Sequence, residues 1–326
     1  MKRILMWGMA LMMLFSSAFA AAGYNSFFDD KLNAGYYDNK AWDGEYVYWL
    51  AAPNDNTWNE YPNNVYRMRP GDEKAEMILE GREDLWVYNI WNIGDKLLLG
   101  VHEKAYGNDI KPALIDFDGS NYRELSGRIG SVVLAGDVLY NSVGGHIYEI
   151  DLDTMESTKI YSYPEEIAAK NPILYQIADD MLYYSTDTHE IYSLYRYPDA
   201  DTKSGKVAEG RGSWFVYNGY LYMSDYEKEN GTWKYNVYGG ANHVQISDKT
   251  YAFYQGSGEY IRARRLSNEG GEEPDQGSII DITKMQSSLE EGIIGSCDHY
   301  YDAIFGGNLI RYDWENNIME AARNIQ

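Results

Sequence analysis

Three Gly-Arg pairs stand in matching settings along the chain: Glu80-Gly81-Arg82 ahead of DLWVYNIW, Ser126-Gly127-Arg128 ahead of IGSVVLA, and Glu209-Gly210-Arg211 ahead of GSWFVY. A guanidinium is planar, permanently charged and forked, which suits it to the oxygens of a carboxylate or phosphate. Three of them meeting near one opening would form a basic ring for an anionic ligand. The competing reading is that each Gly-Arg finishes a turn and pairs with a local carboxylate such as Glu80 or Glu209. Trp86, Trp91 and Trp214 lie in the runs that follow, where an indole either stacks on a sugar ring or fills the gap between structural units. Of the five histidines, His146 and His189 each stand immediately before a strand-like run, and His102 lies in the comparable loop of its own unit. The candidate ligand-binding residues are therefore Arg82, Arg128, Arg211, Trp86, Trp214, His146 and His189.

Other chemistry finds less support. Repeat-related histidines make a metal site only if their loops lean together, so no metal is assigned. The pairs Asp116/Asp118, Asp151/Asp153 and Asp199/Asp201 read as Asx turns, and no segment carries the full acidic ladder of a calcium loop. There is no Gly-x-Ser-x-Gly elbow and no Walker loop, and Glu229-Asn230-Gly231-Thr232-Trp233 lacks the Asp of a sialidase box. Cys297 and His299, two apart on a strand end, could share a face, yet a buried, inert thiol is the stronger reading. No catalytic residue and no cofactor is assigned.

The elements that position these residues follow from composition and periodicity. The chain has 326 residues, 50 acidic against 28 basic side chains, a net charge of −22, one Cys and 32 Tyr. One Cys excludes a disulfide framework, and the acidity excludes the basic face that nucleic acid requires. With 44% hydrophobic and 15% aromatic residues the chain is globular. Residues 1–20 read as a signal peptide: Lys2 and Arg3, an apolar run from Ile4 to Phe15, then Ala18-Phe19-Ala20, with cleavage before Ala21. Cleavage takes the charge from −22 to −24. No segment is long enough to span a membrane. The short, Met-rich signal makes the expectation a bacterial protein, secreted or periplasmic.

Residues 21–326 are expected to be a single domain built from a repeat. A turn followed by an aromatic strand recurs at Asp43, Gly94, Gly136, Asp179 and Asn218, and more weakly at Asp248 and Asp298. The mean spacing is near the roughly 40 to 45 residues of a four-stranded propeller blade. A second strand follows each, among them HIYEIDLD from His146 and EIYSLYRY from Glu190, and helix signals are confined to pieces around 165–170 and 284–291. The expected fold is all-β, a propeller of four-stranded antiparallel blades. Seven blades are counted; the short interval between Asn218 and Asp248 leaves six or eight open. Loops between second and third strands, and links from one blade to the next, share a face of such a ring, which is where ligands are expected.

MLYYSTDTHEIYSLYRY (Met181 to Tyr197), ALIDFDGSNYREL (Ala113 to Leu125) and VLYNSVGGHIYEIDLD (Val138 to Asp153) resemble the YWTD-type repeat of low-density-lipoprotein-receptor-like propellers. They are closer to the bacterial secreted propellers of that type, a domain family of unknown function. The best matches are Tyr183-Tyr184-Ser185-Thr186-Asp187 and Asp118-Gly119-Ser120. The resemblance implies a protein-binding propeller, six-bladed in the receptors. The functional expectation is a non-catalytic binding or interaction propeller with its ligand on the channel face, an anion, peptide, protein or glycan of the cell envelope or extracellular space. The alternative is a secreted carbohydrate-active enzyme of the glycosidase or lyase type.

Overall fold

The structure is a computed structural model that describes residues 26–29, 40–51, 63–103, 110–136, 138–152, 154–199, 201–226, 231–238, 243–266, 276–285, 287–298, 302–313, 316–321 and 323–325. The expected leader and residues 52–62, 104–109 and 227–230 lie outside the described residues.

Among the described residues, twenty-eight strands form seven antiparallel sheets. Blade one holds β1 (Lys40–Trp42), β2 (Val47–Ala51), β3 (Asn64–Met68) and β4 (Glu76–Leu79); blade two β5 (Trp86–Asn92), β6 (Lys96–His102), β7 (Lys111–Asp116) and β8 (Arg123–Glu124). Blade three is β9 (Ser131–Ala135), β10 (Val138–Val143), β11 (His146–Asp151) and β12 (Ser157–Ser162); blade four is β13 (Ile173–Ala178), β14 (Met181–Ser185), β15 (Glu190–Tyr195) and β16 (Gly205–Glu209). Blade five is β17 (Trp214–Tyr217), β18 (Tyr220–Ser224), β19 (Thr232–Asn236) and β20 (His243–Ser247); blade six is β21 (Thr250–Ser257), β22 (Tyr260–Leu266), β23 (Gln276–Asp281) and β24 (Ile293–Asp298). In blade seven, β25 (Asp302–Phe305) pairs with β26 (Asn308–Asp313), and both β27 (Ile318–Met319) and β28 (Arg323–Asn324) lie along β26. First strands of neighbouring blades touch one another, so they line the axis of a seven-bladed propeller.

Two turns differ from expectation. Asp248-Lys249 is the link into β21, and the hairpin turn of blade six is Gly258-Glu259. Asp298 ends β24 and His299 lies outside the described residues, and the hairpin turn of blade seven is Gly306-Gly307, both at positive φ. A link and a hairpin turn each put a polar pair ahead of an aromatic strand, so local composition does not separate them. With the turn at 258, the fifth-to-sixth interval recovers the full blade pitch. The helical pieces resolve into one turn of α-helix, α1 (Glu165–Ala168), and 3-10 turns at Ile282–Lys284 and Glu290–Gly292.

Alternation along each strand sends successive side chains to opposite neighbouring blades. Seven apolar clusters result, one in each gap between blades. Tyr48 faces Val87 between blades one and two, Tyr140 faces Tyr184 between three and four, and Cys297 is buried between six and seven. Side-chain amides tie first strands across two gaps. Gln176 Nε2 donates to Val216 O (2.7 Å) while its Oε1 accepts from Val216 N–H (2.8 Å). Gln255 holds Ile304 in the same way at 2.8 and 2.9 Å. A β-bulge at Tyr175 or Tyr254 directly precedes each amide, and such a bulge re-aims the residue after it.

Among the described residues, blade seven meets blade one by packing and hydrogen bonds, the two blades lying in separate sheets. Trp49 Nε1 donates to Asn317 Oδ1 (3.0 Å), Gly71 N–H to Met319 O (3.0 Å), and Trp42 stacks on Phe305. A 3-10 turn spans Ser26–Phe28. It packs against β9, β13 and β21, inside the ring and away from the closure.

Candidate functional site

The links between blades place all three arginines on one face, in the passages from β4 to β5, β8 to β9, and β16 to β17. Their main chains are pinned. Arg82 and Leu85 exchange N–H···O bonds of 3.0 and 2.9 Å, Arg128 O accepts from Asn141 Nδ2 (3.0 Å), and Arg211 O accepts from Tyr226 N–H (2.7 Å). Two glycines let the links press against the second strand of their own blade. A Cβ on Gly130 would lie 2.0 Å from Ser142 O, and one on Gly212 would lie 1.6 Å from Ser224 O. The serines that follow stitch to the next blade: Ser131 Oγ accepts from Leu174 N–H (2.7 Å) and Ser213 Oγ from Phe253 N–H (2.8 Å).

The side chains of these arginines are exposed. Arg82, 63% exposed, pairs with Asp84 at 3.3 Å, the kind of local carboxylate contact that competes with a ligand. The tryptophans are placed differently. Trp214 is 4% exposed and packs on Tyr175 with ring centroids 4.6 Å apart, and Trp86 is 9% exposed with Nε1 donating to Glu83 O (3.2 Å). The Trp214 ring fills the gap between blades four and five, and the Trp86 ring stacks on Tyr88 of its own strand with centroids 6.4 Å apart. His146 is half-buried, its Nδ1 3.0 Å from Ser162 Oγ. His189 is exposed at φ 61°, and its carbonyl accepts from Gly210 N–H (3.0 Å). His189 is thereby joined to the Arg211 link, while His146 sits one blade away.

Several charged residues at or near this face escaped the sequence reading. Buried Asp225 lies beside the Arg211 link, since a Cβ on Gly210 would fall 2.7 Å from its Oδ2. Its signal was the Ser-Asp ending β18, the counterpart of Thr186-Asp187. Next to His189, Glu190 accepts from Lys170 (2.5 Å) and Lys206 (2.9 Å). Hydrogen bonds from these two ammonium groups hold its carboxyl down to about 2. At the ring closure, Arg262 Nη1 donates to Asp302 O, Arg311 Nε reaches Asp302 Oδ1 (3.0 Å), and buried Lys40 is drawn down to about 8 by desolvation, with Asp302 partly offsetting it. The sequence signal was a charge inside an apolar strand, as in YIRARRL.

Among the described residues, Asp116, Asp118, Glu190, Asp199 and Asp281 are all held below the ordinary carboxylate range. The Asx-turn reading accounts for several. Asp116 accepts from Asn121 Nδ2 (2.7 Å), Asp118 from Ser120 N–H (2.9 Å), and Asp199 from Thr202 Oγ1 (2.6 Å).

No protein-family model matches the chain, and no curated protein matches it in sequence. Among solved structures, one from the crystal structure of the mitotic checkpoint complex aligns over 92% of this chain and 92% of its own, at 14% identity and a TM-score of 0.54. One from a nidogen/laminin complex covers 65% of this chain and 81% of its own (15% identity, TM-score 0.39). TolB from Acinetobacter baumannii is covered over 63% of its length by 76% of this chain (13% identity, TM-score 0.42). These identities speak to fold alone, and the fold is a seven-bladed β-propeller.

Proposed function

We propose that the protein is an exported, non-catalytic binding propeller that takes an anionic ligand, such as an acidic segment of a peptide or protein, on the face formed by its blade links. The observation that supports this reading most directly is the contrast within each link. The main chains of Arg82, Arg128 and Arg211 are held by hydrogen bonds while the three residues are exposed. A fixed backbone with an exposed charged fork limits the ordering that binding must impose. Net charge does not oppose it strongly, because at physiological salt a charge is screened beyond about 8 Å. A glycoside hydrolase would instead need a carboxyl kept protonated near neutral pH. Among the described residues, Glu190 and Asp281 move the other way.

The test uses a fluorescein-labelled hexaglutamate peptide and fluorescence anisotropy. Changing Arg82, Arg128 and Arg211 together to Gln should weaken binding at least about tenfold and leave the β-rich circular dichroism intact. An affinity within twofold of the parent rejects the arginine face. If hexaglutamate does not bind the parent, a thermal-shift screen with acidic peptides, organic acids and glycans decides whether any such class is recognised.

A further inference from the structure

The opposite end of the channel is filled by the chain itself. Ser26, Phe27 and Phe28 form a 3-10 turn that belongs to no sheet, yet it touches the first strands of blades three, four and six and the Phe215 ring of blade five. Phe27 is fully buried and stacks on Phe215 with centroids 5.4 Å apart and planes at 19°. Phe28 meets Phe215 edge-on at 5.9 Å and Tyr217 at 5.2 Å. Two main-chain donors reach the segment: Ile177 N–H donates to Ser26 Oγ (2.8 Å) and Gly258 N–H to Phe28 O (3.1 Å). Both lie at the hairpin ends of their strands.

The wall is shaped to receive this turn. Gly256 stands inside β21, where a Cβ would lie 2.7 Å from Phe27 O and from Cδ1 of both phenylalanines. Its φ is not in the left-handed region, so the glycine is needed for space. Glycine within a strand weakens the strand and marks close approach of another backbone or a ligand. The seven sheets and the closure between blades seven and one are formed without the turn. It occupies the ring as a ligand would.

We propose that the hairpin end of the channel is a peptide-binding socket for a Ser-Phe-Phe turn. The chain's own N-terminal segment is its resident occupant, and a segment of the same chemistry on a partner protein displaces it. Phe215 and Tyr217 receive the two rings, Ile177 N–H reads a hydroxyl one residue before them, Gly258 N–H reads the terminal carbonyl, and Gly256 admits the peptide backbone. This socket lies at the other end of the channel from the arginines, so the two readings stand or fall separately.

The probe is a fluorescein-labelled peptide with the sequence of residues 23–30, GYNSFFDD. In the full chain, Phe27→Ala combined with Phe28→Ala empties the socket. The peptide should bind this variant at least tenfold more tightly than the parent, and a peptide with both phenylalanines replaced by Ala should not bind it. Adding Gly256→Val should remove the binding. Equal affinity for variant and parent, or binding that survives Gly256→Val, overturns the proposal. If the double variant does not fold, a Phe28→Cys chain is labelled with maleimide, Cys297 being buried. Excess peptide should speed labelling at least fivefold; an unchanged rate overturns the proposal.

Discussion

The two ends of the channel use the same first strands for opposite purposes. At the hairpin end, Phe27, Phe28, Phe215, Tyr222 and Phe253 pack ring against ring, with Phe215 between Phe27 at 5.4 Å and Tyr222 at 4.9 Å. At the link end the main chain is pinned by Asn141, Tyr226 and the glycine contacts, and the charged side chains point outward. The aromatic end stabilises by removing apolar area from water, while the link end sacrifices burial to display charge. The difference teaches where a substitution should be felt as lost stability and where as lost recognition.

The strongest challenge to that division is Phe215→Ala. It removes the central ring of the aromatic end and should cost about 3 to 5 kcal/mol in urea unfolding. A loss below about 1 kcal/mol would erase the contrast. Next comes Gln255→Leu, which deprives the Ile304 N–H and C=O of their partner across blades six and seven. With both groups left buried, about 2 to 3 kcal/mol should be lost. The link end should behave otherwise: the triple Arg→Gln variant should unfold within about 1 kcal/mol of the parent.

Buried charge at the ring closure sharpens the picture through pH. Lys40 titrates near 8 in the folded chain, below an unfolded lysine at about 10.4. Between these values the unfolded state holds more protons, so stability rises with pH, by about 2 kcal/mol from pH 8 to about 9.5. Above that range the tyrosines act in reverse, since burial pushes Tyr122, Tyr222 and Tyr251 up to about 12. Lys40→Met should abolish the rise in urea titrations run across this window, and a rise that persists would assign it to another group.

The smallest effect belongs to the surface. Glu190 is held near 2, below an unfolded carboxyl at about 4.3. Its contribution is complete above the unfolded value and is lost as pH falls toward 2. Because its lysine partners are partly exposed, Glu190→Gln should change stability by less than about 1 kcal/mol at pH 7 and flatten the acid limb slightly. A larger loss would show that the link end also carries structural load.

The amino-acid sequence by itself determined the all-β class and the blade pitch, while its count of seven blades left six or eight open until the structure fixed it. Those depend on local properties: Asp179, Asp180 and Asn218 at positive φ in hairpin turns, and two-residue alternation between them. The same local signals failed at Asp248, because a link and a hairpin turn obey the same dihedral rules. Only the tertiary structure decided what the indole of Trp214 does, since its burial depends on the neighbouring blade and not on the strand that carries it. It alone brought His189 to the Arg211 link, set buried Asp225 beside it, and folded Ser26–Phe28 into the axis. These are contacts between residues up to 230 positions apart, such as Phe28 with Gly258. They form only when the ring closes, and no periodicity along the chain specifies them.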